Sequence, residues 1–397
     1  MTKALLLGAG ASADAGLPTT RAMTRRAIVE LQNSPAIGRE VLRALHYVCG
    51  AIIGFDSARG ADPYDDVDIE RLVSAVELLA NRDQQEIAPF VSWDAMLDDL
   101  GGHAPPAFFD QNLGRALLGK GSARDVVIGL VKSIVGTSDS KRTLDALHRH
   151  LTRALVSILS ICNAADLDYL RPIVDLARRQ GTLTVATLNY DIAIETVCDG
   201  ADVGCCVAVD EWFAGGEPLH WRPDGLNLMK LHGSIDWMWG PSATPQTSSS
   251  EESWPLFAQP GIVVGQPPEA ANPYAEPVLV FGQRGKLRAA GPFLELLLDF
   301  GRQVGNATEL VCVGYSFRDD HVNEYIRRWM GRDESRKLTI IDYPARPQFL
   351  AGGQVDFRRA LQIAAHPFAR PGVAALEPSV TIVHERAKDC LSRVLLG

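Results

Sequence analysis

Short apolar segments alternate with helical stretches along much of this 397-residue chain, and that alternation constrains the fold more than any other feature of the sequence. A parallel connection between two strands needs a crossover, which is usually a helix, so alternating strands and helices favour a parallel sheet. The sequence therefore predicts an α/β fold built on a Rossmann-like, doubly wound and mostly parallel sheet. The predicted strands are residues 3–7, 183–186, 226–231, 277–281, 309–313, 338–341 and 380–383.

A long helical block separates the first predicted strand from the others. A helix is predicted at 20–31, and apolar residues then recur at helical spacing through the block. We expect an inserted all-helical module at residues 37–164, within a Rossmann-like domain formed by residues 1–36 and 165–397. Residues 241–261, which carry serines and glutamates at their centre, are predicted to form a solvated loop. The helices predicted within the block are 69–79, 89–100, 126–135 and 144–161.

Charge and hydropathy exclude several classes of partner. The 39 basic and 48 acidic residues give a formal net charge of −9, so the chain has no overall attraction for a polyanion, and direct nucleic-acid binding is not expected. No apolar run is long enough to span a bilayer, and the N-terminus enters the first strand without the pattern of a secretory signal. The sequence therefore favours a cytoplasmic protein without a membrane partner.

The cysteines bear on the metal and redox chemistry of the chain. Seven of them lie at positions 49, 162, 198, 205, 206, 312 and 390, and no two form a CxxC pair. An odd number without such pairs supports neither a disulfide framework nor a ribbon-type zinc site. We interpret them as buried, reduced thiols, and no metal site is expected.

The first predicted strand leads into the segment Gly8-Ala9-Gly10-Ala11-Ser12. Glycine permits the sharp turn and the close backbone approach that a diphosphate needs, and the N-terminus of a following helix offers unpaired N–H groups to an anion. The spacing departs from G-x-G-x-x-G because the third glycine comes later in the chain. A tight strand-to-helix turn without a ligand is the alternative interpretation.

A second segment, Thr187 to Asp191, follows the predicted strand 183–186 and so lies at the carboxyl end of a strand, where open α/β sheets bind ligands. Asn189 would hold a ribose hydroxyl or an attacking water, and Asp191 would accept hydrogen bonds from hydroxyl or amide groups. The alternative is that these side chains only cap the helix that follows.

A third segment, Lys230 to Ser234, contains a histidine at the end of another predicted strand. Histidine is the side chain most often used to exchange protons in catalysis, and His232 would face the crevice at the strand ends, which suits a general base. A histidine with a purely structural role is the alternative. Trp237 and Trp239, a few residues further on, are interpreted as wall or core aromatics.

A fourth segment begins at Gly314, directly after the predicted strand 309–313. Gly314 and Ser316 can admit an adenosine ribose or a phosphate near the strand end. A turn without a ligand is the alternative. Asp319 or Asp320 would cap the helix predicted at 321–330.

Taken in order, these four segments resemble the sirtuin-like family, and in particular its bacterial NAD-hydrolysing branch, which acts in antiphage defence. The resemblance extends from about residue 6 to residue 330 and depends on the ordered set rather than on any single motif. It implies that the first segment meets the diphosphate and the adjacent ribose of NAD. The residues concerned are Gly8, Ala9, Gly10 and Ser12.

The resemblance also assigns roles at the other strand ends. Asn189 and Asp191 would line the pocket of the nicotinamide ribose, and Thr187 of the same segment is assigned to cofactor binding. His232 would act on a ribose hydroxyl or on water. The residues that would border the adenosine side are Gly314, Tyr315 and Ser316.

Two departures set the sequence apart from the protein deacylases of that family. Deacylases carry a four-cysteine zinc module that supports the acyl-lysine groove, and the chain has no CxxC pair to form it, so no zinc is expected. Deacylases also continue with Asp-Phe-Arg where this chain has Thr19-Thr20-Arg21. Water rather than an acyl-lysine peptide is therefore the expected acceptor.

The resemblance implies cleavage of the bond between nicotinamide and ribose, with NAD as the substrate and nicotinamide and ADP-ribose as products. Nicotinamide leaves as a neutral molecule, so the site has to orient the ribose and admit water rather than supply a strong acid. Asn189, His232 and Asp191 are the predicted catalytic residues. Cyclisation in place of hydrolysis stays open.

Two other functions remain as alternatives. One is a sensor or scaffold subunit that binds NAD or ADP-ribose without cleaving it, and the other is a deacylase with a remodelled groove. For the NAD-hydrolysing branch the resemblance also implies a homo-oligomer, with a HerA-type ATPase or an Argonaute-like protein as a partner.

Overall fold

A computed structural model gives the structure of the protein and describes residues 2–62, 67–82, 123–207, 219–239, 256–258, 277–281, 291–333, 335–343 and 379–397. The chain divides into two compact units. One unit joins Met1–Met23 to Leu155–Gly397, and the other is Thr24–Ala154. The larger unit contains the sheet strands, and the smaller one is helical where the structure describes it.

The main sheet confirms the predicted fold class. Seven strands lie in the order β10-β9-β8-β1-β2-β4-β3, and every neighbouring pair is parallel. Because β1 lies at the centre and precedes the helical block, the remaining strands are added on both sides of it after that block. The strands are β1 Lys3–Leu7, β2 Thr182–Thr187, β3 Cys205–Cys206, β4 Gly225–Lys230, β8 Glu309–Val313, β9 Lys337–Ile341 and β10 Ser379–Val383.

The register of the central strands brings their ends to one edge of the sheet. Leu7 lies opposite both Thr187 and Val313, and Thr187 lies opposite Lys230. These four residues end their strands, so the loops that follow start level with one another. All four candidate segments of the sequence follow these strands.

A second, antiparallel sheet was not predicted. It contains β5 Gly233–Trp239, β6 Leu256–Ala258 and β7 Pro277–Leu279 in the order β6-β5-β7. Only two residues separate β4 from β5, which is too short for a parallel crossover, and Gly233 turns the chain with a φ of +85°. The prediction of residues 277–281 as a strand of the parallel sheet was therefore wrong. The predicted loop 241–261 contains β6, and its other residues lie outside the described part of the chain.

The predicted helices that fall on described residues are present, and two of them form a single helix. The predicted helices 126–135 and 144–161 belong to one helix, while 89–100 lies outside the described residues. No helix in the ranges that the structure describes is long and apolar enough to cross a membrane. The helices are α1 Thr20–Asn33, α2 Arg39–Ser57, α3 Ile69–Ala80, α4 Ala123–Leu159, α5 Arg171–Gln180, α6 Ala193–Cys198, α7 Phe293–Gly305, α8 Asp320–Met330 and α9 Ala387–Leu396.

The core lies between the main sheet and its helices. Alternate residues of the strands, such as Leu6 and Met229, pack with Phe300 of α7 and Ile326 of α8 in one buried cluster. Helix α5 packs against β2 and β4 and also contacts α9. Burial of this apolar surface is the main favourable contribution to folding, and it fixes the strand ends that carry the polar loops.

The cysteines only partly follow the prediction of buried thiols. Four are buried, whereas Cys205 and Cys206 are half-buried and Cys162 is exposed. Burial raises the pKa of the Cys49 thiol to about 11, which keeps it protonated and unreactive at neutral pH.

Candidate functional site

The loops after β1 and β8 are in direct backbone contact. The Gly8 N–H donates to the Val313 carbonyl at 2.9 Å, and the Gly10 N–H donates to the Gly314 carbonyl at 3.0 Å. A Cβ atom on Gly314 would lie 2.3 Å from the Ala11 nitrogen, and its φ is +58°. The two loops can therefore approach each other only because glycine stands at these positions. The sequence did not predict this contact between the loops.

The segment after Gly8 does not lead straight into a helix. It forms two short 3-10 turns, Ala9–Ala11 and Ala13–Ala15, and the first α-helix begins only at Thr20. The helix predicted at 20–31 is confirmed as α1, and the two turns separate its N-terminus from the glycines. Backbone N–H groups in this segment still lie at the carboxyl end of β1.

The first segment is held from two sides. The Tyr169 hydroxyl donates to the Ala11 carbonyl at 2.6 Å, and the Asp14 carboxylate accepts from the Lys388 N–H in the first turn of α9 at 3.0 Å. Burial raises the pKa of Tyr169, with Asp14 and Asp191 acting in the same direction, so the phenol stays protonated and remains a donor. The sequence did not predict the contact of Tyr169 with the first segment, because no local pattern marks this residue.

Asn189 links the loops after β1 and β2. Its side-chain Nδ2 donates to Ser12 Oγ at 3.1 Å, and its backbone N–H donates to Thr187 Oγ1 at 3.1 Å. Within the described part of the chain, Asn189 Oδ1 is buried and has no hydrogen-bond partner. A buried amide oxygen without a partner is costly unless a ligand donates to it.

Asp191 contacts the start of the helix that follows it, although the N-cap residue is Ile192. Its Oδ1 accepts from the Ala193 N–H at 3.0 Å, at the start of α6. Its backbone carbonyl accepts a hydrogen bond from Lys230 Nζ at 2.6 Å. Asp191 thus holds the loop after β2 against the end of β4.

Lys230 begins the third segment and is fully buried, and the sequence predicted no role for it. Its Nζ forms an ion pair with Glu195 Oε1 at 2.6 Å. Burial acts to lower the pKa of Lys230, but the carboxylates of Glu195 and Asp236 outweigh it, so the pKa is raised and the ammonium stays charged. The signal for this role in the sequence was a lysine at the end of a largely apolar strand.

His232 is paired with a carboxylate from another loop. Its Nε2 lies 2.9 Å from Asp319 Oδ2, and both side chains are 4% exposed. The other oxygen, Asp319 Oδ1, accepts from the His321 and Val322 N–H groups and so caps α8. The predicted cap is confirmed for Asp319, whereas its contact with His232 was missed.

The loop after β8 is held by a small buried network. Tyr315 donates to Asn323 Oδ1 at 2.9 Å, and Asn323 Nδ2 donates to the Phe317 carbonyl at 2.8 Å. Phe317 is the non-glycine residue with a positive φ in the described part of the chain, at 57°. Because the Tyr315 side chain is buried, only its backbone can border a ligand, while Ser316 is exposed.

The structure thus joins the first two segments through the contact between Ser12 and Asn189, and the third and fourth through the contact between His232 and Asp319. A small cavity lies beside the second contact, with His321 and Phe293 in its lining. Among the described residues, no group of three or more His, Cys, Asp or Glu side chains is placed to hold a metal ion.

The fold and the site define a doubly wound α/β domain whose polar residues gather at the carboxyl ends of its parallel strands. Residues 183–358 of the chain match the sequence model of the SIR2-like domain. The match begins in β2 and includes three of the four segments described above. A search of curated proteins found no match.

Solved structures that align with this chain include Sir2 proteins. A Sir2 homologue in complex with NAD aligns with 99% of this chain and 88% of its own, at 12% identity and a TM-score of 0.41. A mutant Sir2 homologue in complex with 2′-O-acetyl ADP-ribose aligns with 99% of this chain and 90% of its own, at 12% identity and a TM-score of 0.38.

Proposed function

We propose that this protein is an NAD hydrolase that cleaves the bond between nicotinamide and ribose. The observation that carries the proposal is the buried Asn189 carboxamide, whose Oδ1 has no partner among the described residues and whose Nδ2 is fixed by Ser12. It lies in a SIR2-like segment, beside the strand that ends before His232. An amide that is oriented by one hydrogen bond and open at its other atom is suited to hold a ribose hydroxyl or a water.

The loops around Asn189 would hold the substrate. The diphosphate and its neighbouring ribose would lie against the backbone of Gly8, Ala9 and Gly10 and against Ser12. The adenosine would lie near Gly314, Ser316 and the backbone of Tyr315. Thr187 would act indirectly, because its hydroxyl already accepts from the Asn189 N–H.

The proposed reaction needs one side chain that orients the ribose or the water and another that removes the proton of the water. As the bond to C1′ breaks, the bonding pair goes to the pyridine nitrogen and nicotinamide leaves neutral, so no acid is needed there. Water adds to the oxocarbenium-like carbon and its proton passes to His232. Asn189 would orient the ribose or the water, and Asp191 would keep the loop after β2 in place through its contact with the start of α6 and its contact with Lys230.

The test is NAD turnover, followed by chromatography of the products. Wild-type protein is expected to release nicotinamide and ADP-ribose, while Asn189→Ala and His232→Ala are each expected to lower kcat by about 100-fold or more. His384→Ala, which changes an exposed histidine after the edge strand β10, is the matched control and should keep full activity. Turnover that survives both site changes would contradict the proposal.

The same assay separates the alternatives. Tight NAD binding without turnover across a range of protein concentrations would support the sensor or scaffold function. A cyclic product would show that a ribose or adenine atom replaces water as the acceptor. NAD-dependent loss of the acetyl group from an acetyl-lysine peptide, with its transfer to ADP-ribose, would indicate a deacylase.

The proposed cellular role is NAD depletion in antiphage defence by a homo-oligomer. The resemblance of the four ordered segments to the NAD-hydrolysing branch supports this role, and a HerA-type ATPase or an Argonaute-like protein would then be the partner. We expect NAD to fall after phage infection in cells that carry the protein and to persist with His232→Ala. Light scattering of the purified protein measures the oligomer.

A further inference from the structure

The contact between His232 and Asp319 joins two loops that are far apart in the sequence. His232 follows β4 and Asp319 follows β8, yet Nε2 and Oδ2 lie 2.9 Å apart and both side chains are 4% exposed. A buried carboxylate at this distance from an imidazole accepts a hydrogen bond from the ring N–H. The proton of a neutral His232 therefore belongs on Nε2.

Asp319 is itself fixed by its surroundings. Its Oδ1 accepts from the His321 N–H at 3.1 Å and from the Val322 N–H at 3.3 Å, at the N-terminus of α8, where a negative charge is favoured. Its backbone carbonyl accepts from the Asn323 N–H at 2.9 Å. The carboxylate therefore has little freedom to turn away from His232.

We propose that Asp319 is a positioning residue that holds His232 in the tautomer with its proton on Nε2. The two ring nitrogens of an imidazole point in divergent directions, so Nδ1 is then the basic atom and faces away from Asp319. Nδ1 accepts the proton of the attacking water, and Asp319 stabilises the imidazolium that forms. This inference rests on the proposed NAD hydrolysis, and it adds to Asp319 a role beyond capping a helix.

Asp319→Asn separates the two roles. Asparagine is as good an N-cap as aspartate, and the His321 and Val322 N–H groups require its Oδ1 to face α8. Its Nδ2 then faces His232 and donates to Nε2, which moves the ring proton to Nδ1 and removes the base. We expect kcat to fall by about 100-fold or more, with KM for NAD within about twofold and the melting temperature nearly unchanged.

Two controls distinguish positioning from a structural role. Asp320→Asn changes the exposed neighbouring carboxylate in the same helical turn and should leave kcat unchanged. Asp319→Ser keeps a capping hydroxyl but cannot reach His232, so it should also fold and lose turnover. If kcat falls in these variants only in proportion to the fall in their melting temperature, the inference is overturned.

The tautomer gives a readout that does not depend on turnover. Nitrogen shifts of ¹⁵N-histidine-labelled protein, with His232→Ala to assign the signal, should show Nε2–H in the wild type and Nδ1–H in Asp319→Asn. An Nδ1–H tautomer in the wild type would overturn the inference. If the wild type does not hydrolyse NAD, the proposed function fails, while the nitrogen shifts still test the placement of the proton by Asp319.

Discussion

Asn189 and His232 are the two side chains on which the proposed chemistry depends, and each is held by one further polar side chain. Ser12 orients the Asn189 amide, and Asp319 orients the His232 ring. The sequence predicted Asn189 and His232, because each follows a recognisable strand. It could not predict their contacts, because hydrogen bonds between different strand ends depend on the strand order.

Lys230 has a structural role at the same strand ends. Lys230→Met leaves Glu195 beside an apolar chain without its ion-pair partner, so we expect the free energy of unfolding to fall by about 3 kcal/mol. Because the pKa of Lys230 is raised in the folded state, its contribution is complete at neutral pH and is lost only as the pH rises through that raised pKa. Urea denaturation as a function of pH measures both effects.

A half-buried lysine provides the matched control. The Lys141 side chain is 44% exposed, and its Nζ lies 3.7 Å from Asp145 Oδ2 and donates to Asn81 Oδ1 at 3.1 Å, so Lys141→Met should cost less than about 1 kcal/mol. Equal losses for the two variants would contradict the structural role of Lys230.

Among the elements, the parallel strands were predictable and the small antiparallel sheet was not. Apolar runs flanked by glycine identified β1, β2, β4 and β8 within one residue of their ends. The β5 strand starts two residues after β4 and contains no separate turn signal, and its partner β7 has the same apolar character as a parallel strand. The apolar periodicity therefore predicts that a strand is present, but it does not predict which sheet the strand joins.

The contact between the loops after β1 and β8 gives a prediction for Gly314→Ala. A Cβ would lie 2.3 Å from the Ala11 nitrogen and the φ is +58°, so both overlap and backbone strain oppose the substitution. Gly16→Ala is the control, because its φ is +82° but nothing lies within 4 Å of its Cβ. We expect Gly16→Ala to cost about 1 kcal/mol from strain alone.

Gly314→Ala is expected to cost several times as much as Gly16→Ala and to abolish NAD turnover, because the two loops must separate. Thermal unfolding and the product assay measure the two effects. Equal melting temperatures for the two variants would show that the backbone contact between the loops does not hold the site together.

For the whole molecule, we propose that the helical module predicted at 37–164 is an insertion into the sheet domain. In support of this, β1 lies at the centre of the main sheet, although the helical block separates it from its neighbours β2 and β8 in the sequence. All the candidate site residues belong to the unit formed by Met1–Met23 and Leu155–Gly397. The proposed chemistry therefore depends on a site assembled from the two ends of the chain around the insertion.

The central claim, that this site uses water to cleave NAD, is tested most directly by the fate of isotopically labelled water. In H₂¹⁸O, the wild-type protein should convert NAD to nicotinamide and to ADP-ribose carrying one heavy oxygen at C1′, as measured by mass spectrometry. Unlabelled ADP-ribose incubated alone for the same time is the control for exchange of that oxygen through the open-chain aldehyde. Asn189→Ala should form little of this product under the same conditions. Unlabelled ADP-ribose, a cyclic product or unchanged NAD from the wild type would contradict the account.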